Sequence, residues 1–176
     1  MKSKAVFFDR DGVINHERGI DYTYQISHFK FYKEVFSALA KLNSDFKKII
    51  VTNQAGIAKG IYSEKDYQEL TNYYLKELEK RELKIDKVYH CPHKDGCQCR
   101  KPQPGMLLEA AQEFNLDLRK SWLIGDKSSD ILAGQKVGCR TILMETGHGG
   151  ADQLHQIKAD HQAKDLNEAI EIINKN

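Results

Sequence analysis

Only three prolines punctuate the 176 residues, and no stretch is rich in proline, glycine or serine. Nothing therefore reads as a linker. There is no internal repeat and no low-complexity tract, so a solenoid, an array or a long disordered arm is not expected. The chain suits one compact domain, 1–176, long enough to bury a sizeable core. No apolar run approaches the ~20 residues of a membrane span. The start, "MKSKAVFFDRDG", lacks the long apolar segment of a secretory signal. A formal net charge of +2 gives no broad electrostatic case for nucleic acid or membrane surfaces. These absences lead to the expectation of a cytoplasmic protein. There are only four cysteines. Three of them fall within nine residues, and in a reducing compartment such clusters are metal ligands or redox groups more often than disulfides.

What is present is alternation. "KAVFF" (4–8) is a continuous apolar run ending at Asp9, as a strand buried on both faces should be. Tyr32, Val35, Phe36, Leu39 and Leu42 share one helical face over 31–43. A second buried strand is expected over 48–52. Ser63 and Asp66 open an amphipathic helix over 64–82 with a capping-box pattern. A third strand is expected at 86–91 and a helix from Pro104 to Asn115. A fourth strand follows at 121–126, a short helix at 129–138 and a fifth strand at 139–146. Asp165 caps a last helix. The β-α-β-α order predicts an α/β fold, a Rossmann-like three-layer sandwich around a mostly parallel sheet. Ligands of such sheets bind beyond the carboxyl ends of the strands. The polar groups at those ends are Asp9 and Asp11, Thr52 and Asn53, the Cys/His cluster, and Asp126.

Asp9 and Asp11 stand two residues apart, so in extended chain both carboxylates can reach one site. Two such anions repel unless a cation or proton lies between them, and Mg²⁺ is the natural candidate. An isolated Asp-x-Asp is more often a solvated turn. Here "GDKSSD" adds Asp126 and Asp130 at another strand end. "TNQAGIAKG" (52–60) offers the Thr52 hydroxyl and backbone N–H groups to phosphate oxygens. It lacks Walker spacing and alone would pass for an ordinary polar loop. Arg100-Lys101 reads by itself as a solvated basic pair. Next to carboxylates it supplies the positive charge a phosphate dianion needs.

"CPHKDGCQCRKPQPG" (91–105) contains Cys91, His93, Cys97 and Cys99. Four soft ligands match the closed Cys₃His pattern of structural zinc. The alternative is a labile thiol pair, although the C-x-C spacing lacks the C-x-x-C form of redox sites. Gly96 permits the tight turn that the three-residue span 94–96 requires. Cys139 stands apart and reads as a core thiol.

Taken in order, "FFDRDGVIN", "VTNQAGIAKG", "CPH…CQCRKPQPGML" and "LIGDKSSDI" resemble the haloacid dehalogenase superfamily of phosphohydrolases. Within it they resemble the D-glycero-D-manno-heptose 1,7-bisphosphate 7-phosphatases and the related histidinol phosphatases. The resemblance implies a phosphohydrolase acting on a small sugar bisphosphate in heptose and lipopolysaccharide-type precursor biosynthesis, working as a monomer. It implies Asp9 as nucleophile, Asp11 as general acid and base, and Thr52 and Lys101 as stabilisers of the transferring phosphoryl group. It implies Mg²⁺ held by Asp9, the Asp11 carbonyl and Asp126, with Asp130 as an orienting neighbour. Substrate contacts are implied for Glu17, Arg18, Gly19, Ile20, Asn53, Gln54, Arg100 and Lys127. Neither gap between early strands is long enough for an inserted cap domain. A small flap, 12–30, and the zinc loop are expected to cover the site. The competing functions are a histidinol-phosphate phosphatase, a polynucleotide 3′-phosphatase and a non-catalytic zinc-stabilised binding module.

Overall fold

The computed structural model describes residues 2–17, 22–152, 154–156 and 158–176. Six strands form one sheet: β1 (Lys4–Phe8), β2 (Phe46–Asn53), β3 (Lys87–Cys91), β4 (Trp122–Gly125), β5 (Arg140–Met144) and β6 (His161–Ala163). Their order is β3-β2-β1-β4-β5-β6, and every pairing is parallel. This is the doubly wound 3-2-1-4-5-6 arrangement, whose direction of winding reverses between β1 and β4.

Side chains alternate across the sheet with period two. Val6 and Phe8 face one core with Ile50, Ile124 and Ile142. Ala5 and Phe7 face the other with Ile49, Val51 and Leu123. Helices α1 (Val35–Lys41), α2 (Glu64–Glu79) and α5 (Leu166–Asn174) cover the first face through Leu39, Leu70, Tyr74 and Ile170. Helices α3 (Gly105–Glu113) and α4 (Ser128–Lys136) cover the second through Met106, Leu107, Ala110 and Ala133. The three layers follow from strands that are apolar on both faces.

The expected caps are present. Ser63 Oγ accepts from Asp66 N–H, and the Asp66 carboxylate accepts from Ser63 N–H at 2.7 Å. Asp165 accepts from Glu168 N–H at 3.0 Å. The expected bounds need correction in places. α2 ends at Glu79 rather than 82, with Glu82 at φ 59 and Leu83 N–H turned back to Leu78 O. α1 begins at Val35, because Tyr32 N–H is tied to Ile14 O and Tyr32 lies outside the helix. β2 starts two residues early, since Phe46 and Lys47 already pair with Lys4 and Ala5. β6 was not expected at all. It is a three-residue edge strand of polar sequence, His-Gln-Ala, held by three partners on β5.

Between β1 and β2 the described residues form a 3-10 turn, Ile26–His28, and α1. Between β2 and β3 they form α2. Coverage of the strand ends falls to loops.

Candidate active site

Asp9 follows β1 directly, and its N–H donates to Ile124 O of β4 at 2.9 Å. The residue thus sits at the switch between the two halves of the sheet, beside Gly125 and Asp126 at the end of β4. A cavity of about 470 Å³ opens there, lined by Asp9, Asp11, Thr52, Lys101, Lys127 and Asp130 among others.

The two early carboxylates share that cavity but not their partners. Asp9 Oδ1 accepts from Lys101 Nζ at 2.7 Å. Asp9, Asp126 and Asp130 each place a carboxylate oxygen within 4.8 Å of the other two. Asp11 turns aside to Arg10 Nη2 at 2.8 Å, Asn15 Nδ2 at 2.9 Å and Gln54 Nε2 at 3.2 Å. Arg10 is 1% exposed, and its Nη2 also donates to Thr23 O at 2.8 Å. Sequence reasoning missed Arg10 and Asn15. The signal was available in the sequence itself, which sets Arg10 between the Asp9 and Asp11 carboxylates.

Lys101 is the electrostatic centre. It is 3% exposed, and its ammonium donates to Asp9 Oδ1 and Val51 O and pairs with Asp130 Oδ1, all at 2.7 Å. Burial opposes its charge, but Asp130 and Asp9 outweigh that and raise its pKa. Burial lifts Asp9 to about 6, with Lys101 offsetting only part of the effect. Burial, then Asp9 and Asp130, lift Asp126 to about 8. Asp126 Oδ1 is buried without a hydrogen-bond donor, while Oδ2 accepts from His148 N–H at 2.8 Å. Crowded carboxylates with one orphaned oxygen fit a hard divalent cation such as Mg²⁺.

The remaining expected residues divide into groups. Thr52 lies at the floor, 1% exposed. Asn53 lines the cavity, but its amide grips the Lys101 backbone. Gln54, expected at the substrate, lies beside Thr52 and Asp11 and is not among the residues lining the cavity. It is 1% exposed, and its amide is engaged by Thr52, Asp11 and Tyr62. Glu17 lines the cavity and accepts from Lys127 Nζ at 2.7 Å, and its other carboxylate oxygen lies 2.9 Å from His148 Nε2. Arg100 lines the same cavity. Arg18, Gly19 and Ile20 lie outside the described residues. Tyr22, Thr23, His148, Asp152 and His155 also line it and were not anticipated. The glycine-rich "TGHGG" directly after β5 was the overlooked signal for the last three, since it falls on the ligand-binding edge of the sheet.

The cysteine loop converges at the end of β3. Cys99 Sγ lies 3.0 Å from Cys91 Sγ and 3.4 Å from Cys97 Sγ, and His93 Nδ1 lies 3.3 Å from Cys99 Sγ. A tetrahedron with metal–sulfur bonds of about 2.3 Å has edges of roughly 3.8 Å, so the four ligands already approximate one. Burial disfavours the Cys97 thiolate, but the Arg100 N–H and the adjoining thiols outweigh it and bring the group down to about 6. The donor set fits Zn²⁺. Cys139 is buried elsewhere, and burial pushes its thiol up to about 12.

A doubly wound parallel sheet with an aspartate after the first strand, a buried lysine beside it and acidic residues after the fourth is the arrangement of the HAD-like hydrolases. Residues 98–169 match the HAD-hydrolase-like family model. The chain is 48% identical over 145 residues to a D-glycero-alpha-D-manno-heptose-1,7-bisphosphate 7-phosphatase of Campylobacter jejuni, covering 82% of this chain and 83% of that one. A Photorhabdus laumondii protein of the same name is 44% identical over 158 residues, 84% and 85% of the two chains. A beta-anomer 7-phosphatase of Helicobacter pylori is 38% identical over 180 residues, 97% and 98%. The crystal structure of the D,D-heptose 1,7-bisphosphate phosphatase from B. bronchiseptica with magnesium and phosphate superimposes with a TM-score of 0.90 at 28% identity over 98% of both chains. The chain belongs to this family, the D-glycero-D-manno-heptose 1,7-bisphosphate 7-phosphatases.

Proposed function

We propose that this chain is a Mg²⁺-dependent phosphatase that removes the 7-phosphate of D-glycero-D-manno-heptose 1,7-bisphosphate through an aspartyl-phosphate. The observation that carries the reading is the buried Asp9–Lys101 pair next to Asp126, in a chain of this family. Its higher identity to the alpha-named relatives supports the α anomer as the preferred substrate.

An Asp9 oxygen attacks phosphorus as the bond from phosphorus to the sugar oxygen breaks. Asp11 gives its proton to the leaving alkoxide, which divides one difficult displacement into two easier ones. A water then attacks the aspartyl-phosphate, Asp11 takes its proton, and inorganic phosphate leaves with Asp9 restored. Lys101 and Thr52 stabilise the charge on the phosphoryl oxygens. Asp9, Asp126 and the Asp11 carbonyl would hold Mg²⁺, which would supply positive charge to the phosphoryl group. Asp130 holds Lys101 in place. Arg100 and Lys127 receive the rest of the substrate. Arg18, Gly19 and Ile20 remain assigned to it by sequence alone.

Cys91, His93, Cys97 and Cys99 hold a structural zinc. With four protein ligands the ion would be structural and would supply stability to the loop rather than chemistry. The single domain acts as a cytoplasmic monomer. Support for the compartment comes from a thiol cluster suited to a reducing one; among the described residues no helix is long and apolar enough to cross a membrane.

The test is phosphate release from both anomers of the bisphosphate with Mg²⁺. We expect turnover by the wild type, a higher kcat/KM on the α anomer, and loss of turnover in Asp9→Asn. A wild type no faster than Asp9→Asn would overturn the reading.

A further inference from the structure

Tyr62 lies between the "TNQAGIAKG" loop and α2 and carries none of the motifs. Its ring is 5% exposed, and its hydroxyl donates to Gln54 Oε1 at 2.5 Å. The other end of the Gln54 amide faces the reaction centre. Gln54 Nε2 donates to Thr52 Oγ1 at 2.8 Å and to Asp11 Oδ2 at 3.2 Å.

A primary amide is a donor at one end and an acceptor at the other, so half a turn exchanges them. Asp11 only accepts and Arg10 Nη2, 3.5 Å from Oε1, only donates, so Nε2 is the end presented to Asp11 and Thr52, and the Tyr62 hydroxyl adds the shortest contact to the oxygen end. Turned over, the amide would set a carbonyl oxygen against a carboxylate and leave the Tyr62 hydroxyl facing an NH₂. The consequence for Thr52 is directional. Its oxygen accepts from Gln54, which leaves its own proton to be donated towards the cavity that it lines.

The ring has a built seat. A Cβ on Gly56 would lie 2.1 Å from Tyr62 Cε1, so the ring rests directly on that glycine. Tyr24 stacks on it with centroids 5.0 Å apart and planes inclined by 6°. The neighbouring Thr23 carbonyl is held by Arg10, the same guanidinium that grips Asp11.

We propose that Tyr62 is a positioning residue for the phosphatase reaction: its hydroxyl anchors the oxygen end of the Gln54 amide, and through it the placement of Asp11 and the Thr52 hydroxyl. The proposal rests on the roles of Asp11 and Thr52 given above. Removing the hydroxyl leaves the ring in its seat but takes away the closer of the two donors to Gln54 Oε1, leaving Arg10 Nη2 at 3.5 Å.

The experiment is a double-mutant cycle on the Mg²⁺-loaded full chain with heptose 1,7-bisphosphate, using Tyr62→Phe, Gln54→Met and the pair. Tyr62→Phe should lower kcat by about three- to tenfold, the equivalent of one net hydrogen bond. KM should stay within about twofold and the melting temperature near that of wild type, because substrate contacts and the core are unchanged. In the Gln54→Met background the same substitution should change kcat by less than about 1.5-fold, since its intermediary is gone. Gln54→Ala provides a second background should the methionine variant not fold. Wild-type kcat in Tyr62→Phe, or an undiminished loss in both Gln54 backgrounds, would overturn the proposal. A wild type without turnover would instead remove the phosphatase reading beneath it.

Discussion

The Asn53 side chain clasps the backbone of Lys101 from both sides: Nδ2 donates to Lys101 O at 3.0 Å, and Oδ1 accepts from Lys101 N–H at 3.0 Å. Asn53 ends β2, where it pairs with Cys91 of β3, so a rigid sheet edge fixes the path of the loop carrying the lysine. The loop that carries Arg100 and Lys101 is thus held at the thiol cluster and by one amide.

Asn53→Ala should therefore impair catalysis without touching the lysine. A shift of Lys101 by about 1 Å is of the size that costs roughly a hundredfold in rate. We expect kcat for the bisphosphate to fall by about ten- to a hundredfold, with a smaller change in KM. Steady-state kinetics with Mg²⁺ checks this, and a kcat within about twofold of wild type would remove the clasp from the mechanism.

The carboxylates make stability depend on pH in the Mg²⁺-free protein. Asp126 is raised to about 8 and Asp9 to about 6, both by burial first. A carboxyl whose folded pKa lies above its unfolded value contributes stability that is complete below the unfolded pKa, near 4. That contribution is lost as pH rises towards the folded one. The Mg²⁺-free protein should thus lose melting temperature between about pH 4 and pH 8 on account of these groups. Added Mg²⁺ binds the ionised form, so its stabilising effect should grow across the same window. Thermal denaturation at pH 5 and pH 8, with and without Mg²⁺, measures both trends. An equal Mg²⁺ effect at the two pH values would contradict them.

The chemistry-bearing ends of β1, β2, β3 and β4 were legible because a buried parallel strand is a plain apolar run and its first polar residue marks the ligand edge. Asp9, Thr52, Cys91 and Asp126 all declare themselves in this way. What stayed hidden depends on contacts across the fold. "HQA" carries no strand signal, and β6 exists because β5 offers an edge and Asp160 accepts from Thr141 N–H and Oγ–H at 2.7 and 2.8 Å. Gln54 looked like a substrate contact because it adjoins Thr52 and Asn53. Its burial is set by Tyr62 eight residues on, which no local pattern reveals. Asp11 lines the cavity with Asp9, as expected, but the Gln54 amide that holds its carboxylate comes from 43 residues away.

The thiols provide a count. All four cysteines are free of disulfides, three in the cluster and Cys139 in the core. Zinc-bound thiolates react slowly with disulfide reagents, and a buried thiol raised to about 12 is inert. Native zinc-replete protein should show almost no fast-reacting thiol, and chelation of zinc should expose three. Elemental analysis should give about one zinc per chain. Zinc removal should also lower the melting temperature and kcat, through the loop that carries Arg100 and Lys101. Three fast thiols in protein that still contains its zinc would exclude the site.

Two glycines from opposite ends of the chain leave Asp126 its room. A Cβ on Gly12 would stand 2.3 Å from Asp126 Oδ2, and one on Gly147 would stand 2.2 Å from the same oxygen. Both residues have positive φ, 93° and 60°, so alanine would add backbone strain to the collision. Gly60 gives the matching control: its φ is 68°, but nothing lies within 4 Å of a Cβ there. Gly60→Ala should cost only the left-handed conformation, about 1–2 kcal/mol of stability, and leave Mg²⁺ affinity as it was. Gly147→Ala carries the same backbone cost and also displaces the carboxylate from Asp9. It should weaken Mg²⁺ binding by at least about tenfold, the scale reported for disturbed metal surroundings. Mg²⁺ titrations of kcat on the two variants separate the effects. If both alanines weaken Mg²⁺ equally, backbone strain and not the slot around Asp126 sets the affinity; if only Gly147→Ala does, the late loop after β5 belongs to the metal site as firmly as the first strand does.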